Sequence, residues 1–388
     1  MFTKEILTKF NELETPFYYY DLDLLKRTLT ALTTESSKRK FKIHYALKAN
    51  SNDRILKIIS DSGLGADCVS GNEITKAIST GFISSEIVFA GVGKSDKEIL
   101  TGLNNNIFCF NVESIQELEV INSLATSQNK IANIAIRIKP NVDANTHHYI
   151  TTGLKENKFG INNWELPQIL NKLSSLKNLN LIGLHFHIGS QITDLDVFRG
   201  LCIRVNEIQK WFEEKNFRFK SINVGGGLGI NYENPDSEII PDFKSYFDVF
   251  KKFLEVRPNQ EIHFEIGRAI VGQCGSLISR VLYIKKGVNT NFAILDAGMT
   301  ELIRPALYQS YHKIENISNF EIRNSKFEIF KYDVVGPICE SSDTFGKCIL
   351  LSETKRGDLI AIRSIGAYGE VMASNYNLRE KIKSYFSQ

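Results

Sequence analysis

The chain has 388 residues, 43% apolar and 23% charged, enough for one large core or two ordinary ones and too apolar to stay disordered. Lys and Arg number 47 against 44 acidic residues, and a net charge of +3 gives no reason to expect nucleic acid or a membrane surface as partner. No apolar run reaches the roughly 18 residues of a spanning helix, and MFTKEILTKF has no signal-peptide core, so a cytoplasmic location is expected. The six cysteines, at 68, 109, 202, 274, 339 and 348, form no CxxC pair. Reduced thiols are therefore expected, with neither a metal centre nor a disulfide framework.

From residue 41 short β-branched and aromatic runs alternate with helical patterns. The predicted strands are FKIHYALK (41–48), GADCVS (65–70), IVFAG (87–91), IFCFNV (107–112), IANIAIRIKP (131–140), LIGLHFHI (181–188), SINVGG (221–226) and EIHFEI (261–266). Helical segments such as ESIQELEVINSLA lie between them, the signature of parallel βα units. The count favours an α/β fold of the (β/α)8 barrel type over an open sheet, which strand counting alone leaves as an alternative. After about residue 270 the runs GSLISRVLYIKKG, NFAILDAG, KFEIFKYDVVG and GDLIAIRSIGAY read as a mostly antiparallel C-terminal β domain.

Active groups of a parallel barrel gather at the carboxyl ends of its strands. The run 41–48 closes on Lys48, whose amine would become nucleophilic if partly buried; a lysine snorkelling to solvent is the ordinary alternative. His185 and His187 share a strand face, as a metal pair lacking a third ligand, as a ring stacked on a flat cofactor, or as structural histidines. The run 221–226 leads into Gly225, Gly226 and Gly227, whose backbone N–H groups can face a phosphate, unless the glycines serve only a tight turn. The run 261–266 brings Glu265 and Arg268 side by side, as site groups or as a surface ion pair. A lysine for attachment, a glycine cradle and a carboxylate together suit pyridoxal 5'-phosphate. A carboxylate facing the pyridine nitrogen keeps it protonated, so that the ring accepts the electron pair left by C–C cleavage. Glu265 is the candidate for that place.

The stretches YALKANSN (45–52), GADCVSGNE (65–73), VFAGVGKS (88–95), FNVES (110–114), THHYITTGLKENKFGI (146–161), HFHIGSQI (185–192), NVGGGLGI (223–230), DAGM (296–299), VVGPICESSDTF (334–345) and GAYGEVMASNYN (366–377) occur in one order. Over nearly the whole chain, from Pro16 to about Arg379, they resemble the fold-type III pyridoxal-phosphate decarboxylases, and among these the diaminopimelate decarboxylases. The resemblance implies a pyridoxal-phosphate-binding barrel over 24–266. It implies a β domain, sandwich- or barrel-like, over 267–388, completed by an N-terminal strand within 1–23. It also implies a homodimer with shared active sites and conversion of meso-2,6-diaminopimelate to L-lysine and carbon dioxide, the last step of lysine biosynthesis.

By the same resemblance Lys48 attaches the cofactor, Asp67 supports it and His187 stacks on its ring. Ser190, Gly225, Gly226, Gly227 and Tyr368 hold or neighbour the phosphate. Glu265 pairs with the ring nitrogen, with Gly267 and Arg268 on the same wall. Arg268, Arg304 and Tyr308 bind the substrate's distal carboxylate beside Tyr368, and Glu340 takes the distal ammonium. Cys339, from the partner subunit, donates the final proton. The rival readings are decarboxylases of ornithine, arginine or carboxynorspermidine, which recognise no distal carboxylate, and a non-catalytic relative that only binds the cofactor. The sequence departs from the pattern twice. Ile266 replaces a usual proline, and the chain reaches SYFSQ soon after NYNLR, so a β domain lacking its usual final strand is expected.

Overall fold

A computed structural model describes residues 2–142, 158–318 and 328–387. Residues 146–157 of the stretch THHYITTGLKENKFGI lie outside the described residues. The chain divides into two units, Thr28–Gly229 with Asp242–Arg268, and Met1–Arg27 with Ile230–Pro241 and Ala269–Gln388. The stretch 230–241, expected within the barrel span 24–266, thus groups with the second unit.

Strand β1 (Phe17–Tyr20) belongs to the second unit. The next eight strands are β2 (Lys42–Ala46), β3 (Gly65–Cys68), β4 (Ile87–Phe89), β5 (Cys109–Val112), β6 (Ala132–Arg137), β7 (Leu179–His185), β8 (Ser221–Asn223) and β9 (Glu261–Ile266). They form a closed parallel barrel, sealed where β9 pairs with β2 from Lys42↔His263 to Tyr45↔Ile266. Seven of them lie inside a run read as a strand from the sequence, and β7 begins two residues before its run, at Leu179. Parallel strands are covered on both faces and so read as near-continuous apolar runs; Ala66, Phe89, Ile134, Ile136 and Phe264 are fully buried.

The loops leaving these strands end promptly because they carry helix caps. Asn52 caps Asp53–Asp61, Ser70 caps Gly71–Ser79, Ser114 caps Ile115–Ser127 and Asp194 caps Leu195–Glu213, each side-chain oxygen accepting a first-turn N–H. Each such cap is worth about 1 kcal/mol against alanine, and together they hold the strand ends in a fixed frame.

Side chains alternate across a strand, so β9 sends both His263 and Glu265 into the barrel. His263, nearer the amino end, meets His44 of β2: His44 Nε2 and His263 Nδ1 are 2.8 Å apart, with the rings only 12° from parallel. Phe108 stacks on His263 at 5.2 Å. Glu265 lies one pleat further on, in the layer that carries the candidate chemistry.

In the second unit the strands β10 (Gly275–Lys286), β11 (Asn291–Leu295), β12 (Ile314–Asn316), β13 (Ile329–Val335), β14 (Thr344–Ser352) and β15 (Leu359–Arg363) line up in the order β12-β15-β10-β11-β13-β14. β1 pairs antiparallel with β10 and parallel with β16 (Lys383–Phe386). Apart from β1–β16 and β11–β13, the pairings in this unit are antiparallel. The expectation of a missing final strand is corrected here. KSYF itself pairs with FYYY, and the Tyr20 and Phe386 rings stack at 5.6 Å. The adjacent aromatic residues Tyr385 and Phe386 supply the β preference after the polar Lys383 and Ser384. Among the described residues, no helix is long and apolar enough to cross a membrane.

Candidate active site

Lys48 lies on the short 3-10 turn Leu47–Ala49 that follows β2, flanked by buried Leu47 and Ala49. Its Nζ donates to Asp67 Oδ2 on the adjacent β3 at 2.9 Å. Asp67 is wholly buried, and burial, with Glu265's charge behind it, pushes its carboxyl up to about 7 against the pull of Lys48. Asp67 Oδ1 is buried with no hydrogen-bond partner among the described residues. Gly267 lets the end of β9 approach the Lys48 turn, since a Cβ there would lie 2.9 Å from the Ala49 Cβ.

Glu265 has three donors. Asn111 Nδ2 from the end of β5 (3.0 Å) and Asn223 Nδ2 from the end of β8 (2.8 Å) reach its Oε1, and His185 Nε2 from the end of β7 reaches its Oε2 at 3.0 Å. All four side chains are buried. Burial alone would raise the Glu265 pKa, but the bond and charge of His185, then the charge of Lys48, outweigh it and hold the carboxyl well below the usual carboxylate range. A carboxylate accepts at about four lone-pair sites, so these donors leave capacity for one more. His185 Nδ1 is buried without a partner among the described residues.

His187 is half-buried just beyond β7. Burial, helped by the charges of Arg137 and Lys48, pushes its pKa well below the ordinary value, so its ring is neutral. Its Nδ1 accepts a long bond, 3.4 Å, from the Gly226 N–H. The Gly225 N–H donates to Asn223 Oδ1 at 2.9 Å. Two of the three glycine amides expected to face phosphate are thus engaged within the protein. What the glycines do provide is closeness: a Cβ on Gly226 would lie 1.8 Å from the Glu265 carbonyl oxygen, and one on Gly225 would lie 2.3 Å from that of Phe186. Arg268 opens the turn Arg268–Val271, and its Nη2 donates to Ser190 Oγ at 3.0 Å.

Buried ion pairs around the neighbouring strand ends brace this layer. Arg137 Nη1 donates to Glu113 Oε1 at 2.7 Å, and Lys94 Nζ donates to the carbonyls of Gly91 and Asn111 and to Glu117. Among the described residues no group of three or more His, Cys, Asp and Glu is placed so that it could hold a metal ion.

The remaining candidates belong to the other unit. Arg304 is buried, with its guanidinium 5.1 Å from the centre of the Tyr232 ring. Its Nη1 donates to Tyr232 Oη at 2.9 Å and to His312 Nε2 at 3.0 Å. His312 Nδ1, bonded to the Arg363 carbonyl at 2.9 Å, must be the donor there, which leaves Nε2 to accept. Tyr308 ends the helix Arg304–Tyr308 and is half-buried. Cys339 and Glu340 are exposed on the loop after β13, where Asn377 Oδ1 accepts the Cys339 N–H at 3.4 Å and Tyr376 Oη donates to Glu340 Oε1 at 2.8 Å. Tyr368 is half-buried and held at φ +58°, an uncommon conformation for a bulky side chain.

The barrel site fits pyridoxal phosphate. It offers a lysine amine backed by a carboxylate, a buried ionised acid with a lone pair to spare, a neutral imidazole and a glycine turn with no room for side chains. The family model described as "Pyridoxal-dependent decarboxylase, pyridoxal binding domain" matches residues 22–272. A diaminopimelate decarboxylase of Bacteroides thetaiotaomicron is 59% identical over 382 residues, covering 98% of this chain and 97% of that one. The chain belongs to the diaminopimelate decarboxylase family.

A second member of the diaminopimelate decarboxylase family, from Helicobacter pylori strain J99, is 44% identical over 98% of this chain and 92% of that one. The crystal structure of the Helicobacter pylori diaminopimelate decarboxylase complexed with L-lysine has a TM-score of 0.91 at 42% identity, covering 98% of this chain and 94% of that one. Within this family member, sequence reasoning missed Asn111, Asn223, Tyr232 and His312. The signal for the two asparagines was present, because a polar amide closing an otherwise apolar barrel strand (FCFN, SIN) must find a buried partner. Tyr232 and His312 carried no such signal.

Proposed function

We propose that the protein decarboxylates meso-2,6-diaminopimelate to L-lysine and carbon dioxide with pyridoxal phosphate. The observation that carries this reading is the buried, ionised Glu265 facing into the barrel layer that also holds Lys48 and Asp67. Pyridoxal phosphate, when bound, supplies the electron sink into which the bond to the leaving carboxylate collapses. Lys48 provides the attaching amine, and Asp67 orients it and stabilises its charged form. Glu265 keeps a proton on the ring nitrogen, and the neutral His187 presents its flat face to the ring. Ser190, steadied by Arg268, and the turn at Gly225, Gly226 and Gly227 receive the phosphate end, together with Tyr368.

Arg268, Arg304 and Tyr308 take the substrate's distal carboxylate, for which a planar guanidinium is suited. Glu340, oriented by Tyr376, takes the distal ammonium. Binding energy far from the bond that breaks then selects a substrate with two amino-acid heads. Cys339 of a second copy delivers a proton to the α-carbon, which places the active site at a homodimer interface. An exposed thiol in that role must stay reduced, which supports a cytoplasmic setting.

Carbon dioxide release from meso-diaminopimelate, ornithine, arginine and lysine tests the substrate. Release from diaminopimelate alone supports the reading, and preference for ornithine or arginine contradicts it. Mixing Lys48→Ala with Cys339→Ala subunits tests the shared site. Activity should return on subunit exchange, and its absence despite proven exchange counts against the dimer.

A further inference from the structure

Glu265 accepts three hydrogen bonds in the barrel site, and its two Oε1 partners are uncharged amides. That choice has a chemical consequence. A lysine or arginine there would neutralise the carboxylate, whereas an amide donates a hydrogen bond and leaves the negative charge available for a further proton. The orientation of Asn223 is also fixed from both ends. Its Oδ1 accepts the Gly225 N–H at 2.9 Å, so its Nδ2 must face Glu265, 2.8 Å away. Asn111 is anchored differently, through its own carbonyl, which receives the buried Lys94 amine at 2.8 Å.

We propose that Asn111 and Asn223 are positioning residues that fix Glu265 in one orientation with a lone pair unfilled, and that Asn223 ties this orientation to the turn at Gly225. The inference rests on the assignment of Glu265 to the coenzyme's ring nitrogen. In that setting one proton lies between the carboxylate and the ring. Each lost donor makes the carboxylate the stronger base, so the proton moves from the nitrogen to Glu265. A hydrogen bond to a charged group is worth roughly one to two powers of ten in an equilibrium, which sets the size of the effect.

The test uses holoenzyme loaded with pyridoxal phosphate carrying nitrogen-15 in its ring, and follows the ring-nitrogen chemical shift against pH alongside kcat and KM. Asn111→Leu and Asn223→Leu remove one donor each. Asn223→Asp keeps the acceptor for the Gly225 N–H while losing the donor, and serves with Asn111→Asp if a leucine variant fails to fold. The ring nitrogen should move toward its unprotonated shift in every variant, with kcat falling roughly tenfold or more and KM changing far less. A merely structural role would leave the shift of a folded, coenzyme-bound variant untouched. Variants that keep the wild-type shift and kcat, while Glu265→Gln changes both, overturn the inference and leave the Glu265 assignment standing. A Glu265→Gln protein with an unchanged ring shift overturns both.

Discussion

Two layers of the barrel interior are polar, and they are polar in different ways. Toward the amino ends, His44 and His263 share a hydrogen bond between nearly parallel rings, with Phe108 stacked beside them and the Glu86 carbonyl 3.0 Å from His44 Nδ1. One pleat along β9, Glu265 is an ionised acid gripped by three donors, in a layer that includes the Lys48–Asp67 pair. Both layers are buried and largely satisfied, so burial alone does not mark the functional one. The difference is charge: the lower layer keeps its groups neutral, while the upper layer holds ions where water is scarce. A buried charge costs stability even when it is paired, so a layer that keeps its ions is a candidate for function.

The sharpest way to break the comparison is to neutralise the upper layer. Glu265→Gln preserves size and most hydrogen bonds but removes the charge. Steady-state assays should show kcat lower by roughly 10²–10³-fold, the scale of losing one preorganised electrostatic group, while the thermal midpoint moves little. A large loss of stability with activity intact would reverse the assignment of the layers. The complementary change, His44→Leu, strands His263 Nδ1 and the Glu86 carbonyl. Urea unfolding should register a loss of about 1–3 kcal/mol, with kcat/KM of the folded fraction near wild type.

Acid unfolding sharpens the distinction further. Burial pushes His44 below its ordinary 6.5, and burial together with its neighbours His44 and Lys42 pushes His263 well below it. The unfolded chain therefore takes up these protons near pH 6.5 while the folded chain does not. Stability is unaffected by them above that pH and is lost as the pH falls below it, by up to about 1.4 kcal/mol per pH unit for each histidine. Comparing urea midpoints at roughly pH 5 and pH 7.5 should show a shallower acid loss in His44→Leu than in the wild type. An equal slope would mean that the pair is already protonated in the folded protein.

The barrel was legible in the sequence because its strands fall in short β-branched and aromatic runs that alternate with helical patterns, and periodicity reports burial directly. Lys48, His187 and Glu265 were legible as polar residues at the ends of those runs. Asn111 and Asn223 were legible only as amides in need of a buried partner; that the partner is the Glu265 carboxylate follows from the barrel's closure, which brings β5, β8 and β9 together. The excursion 230–241 was not legible, since its grouping with the second unit is fixed by long-range contacts such as that of Arg363 with Asp236. The glycine turn carried a second message that its phosphate reading did not include. A glycine reports that something comes close, and here the close neighbours are the carbonyls of Phe186 and Glu265.

The central claim is that the amine at the end of β2 is where the coenzyme attaches. Protein loaded with pyridoxal phosphate should absorb at the visible edge of the ultraviolet, lose that band on borohydride reduction, and yield a single modified peptide whose label maps to Lys48. A protein that stays colourless, or that carries the label on another lysine, contradicts the account.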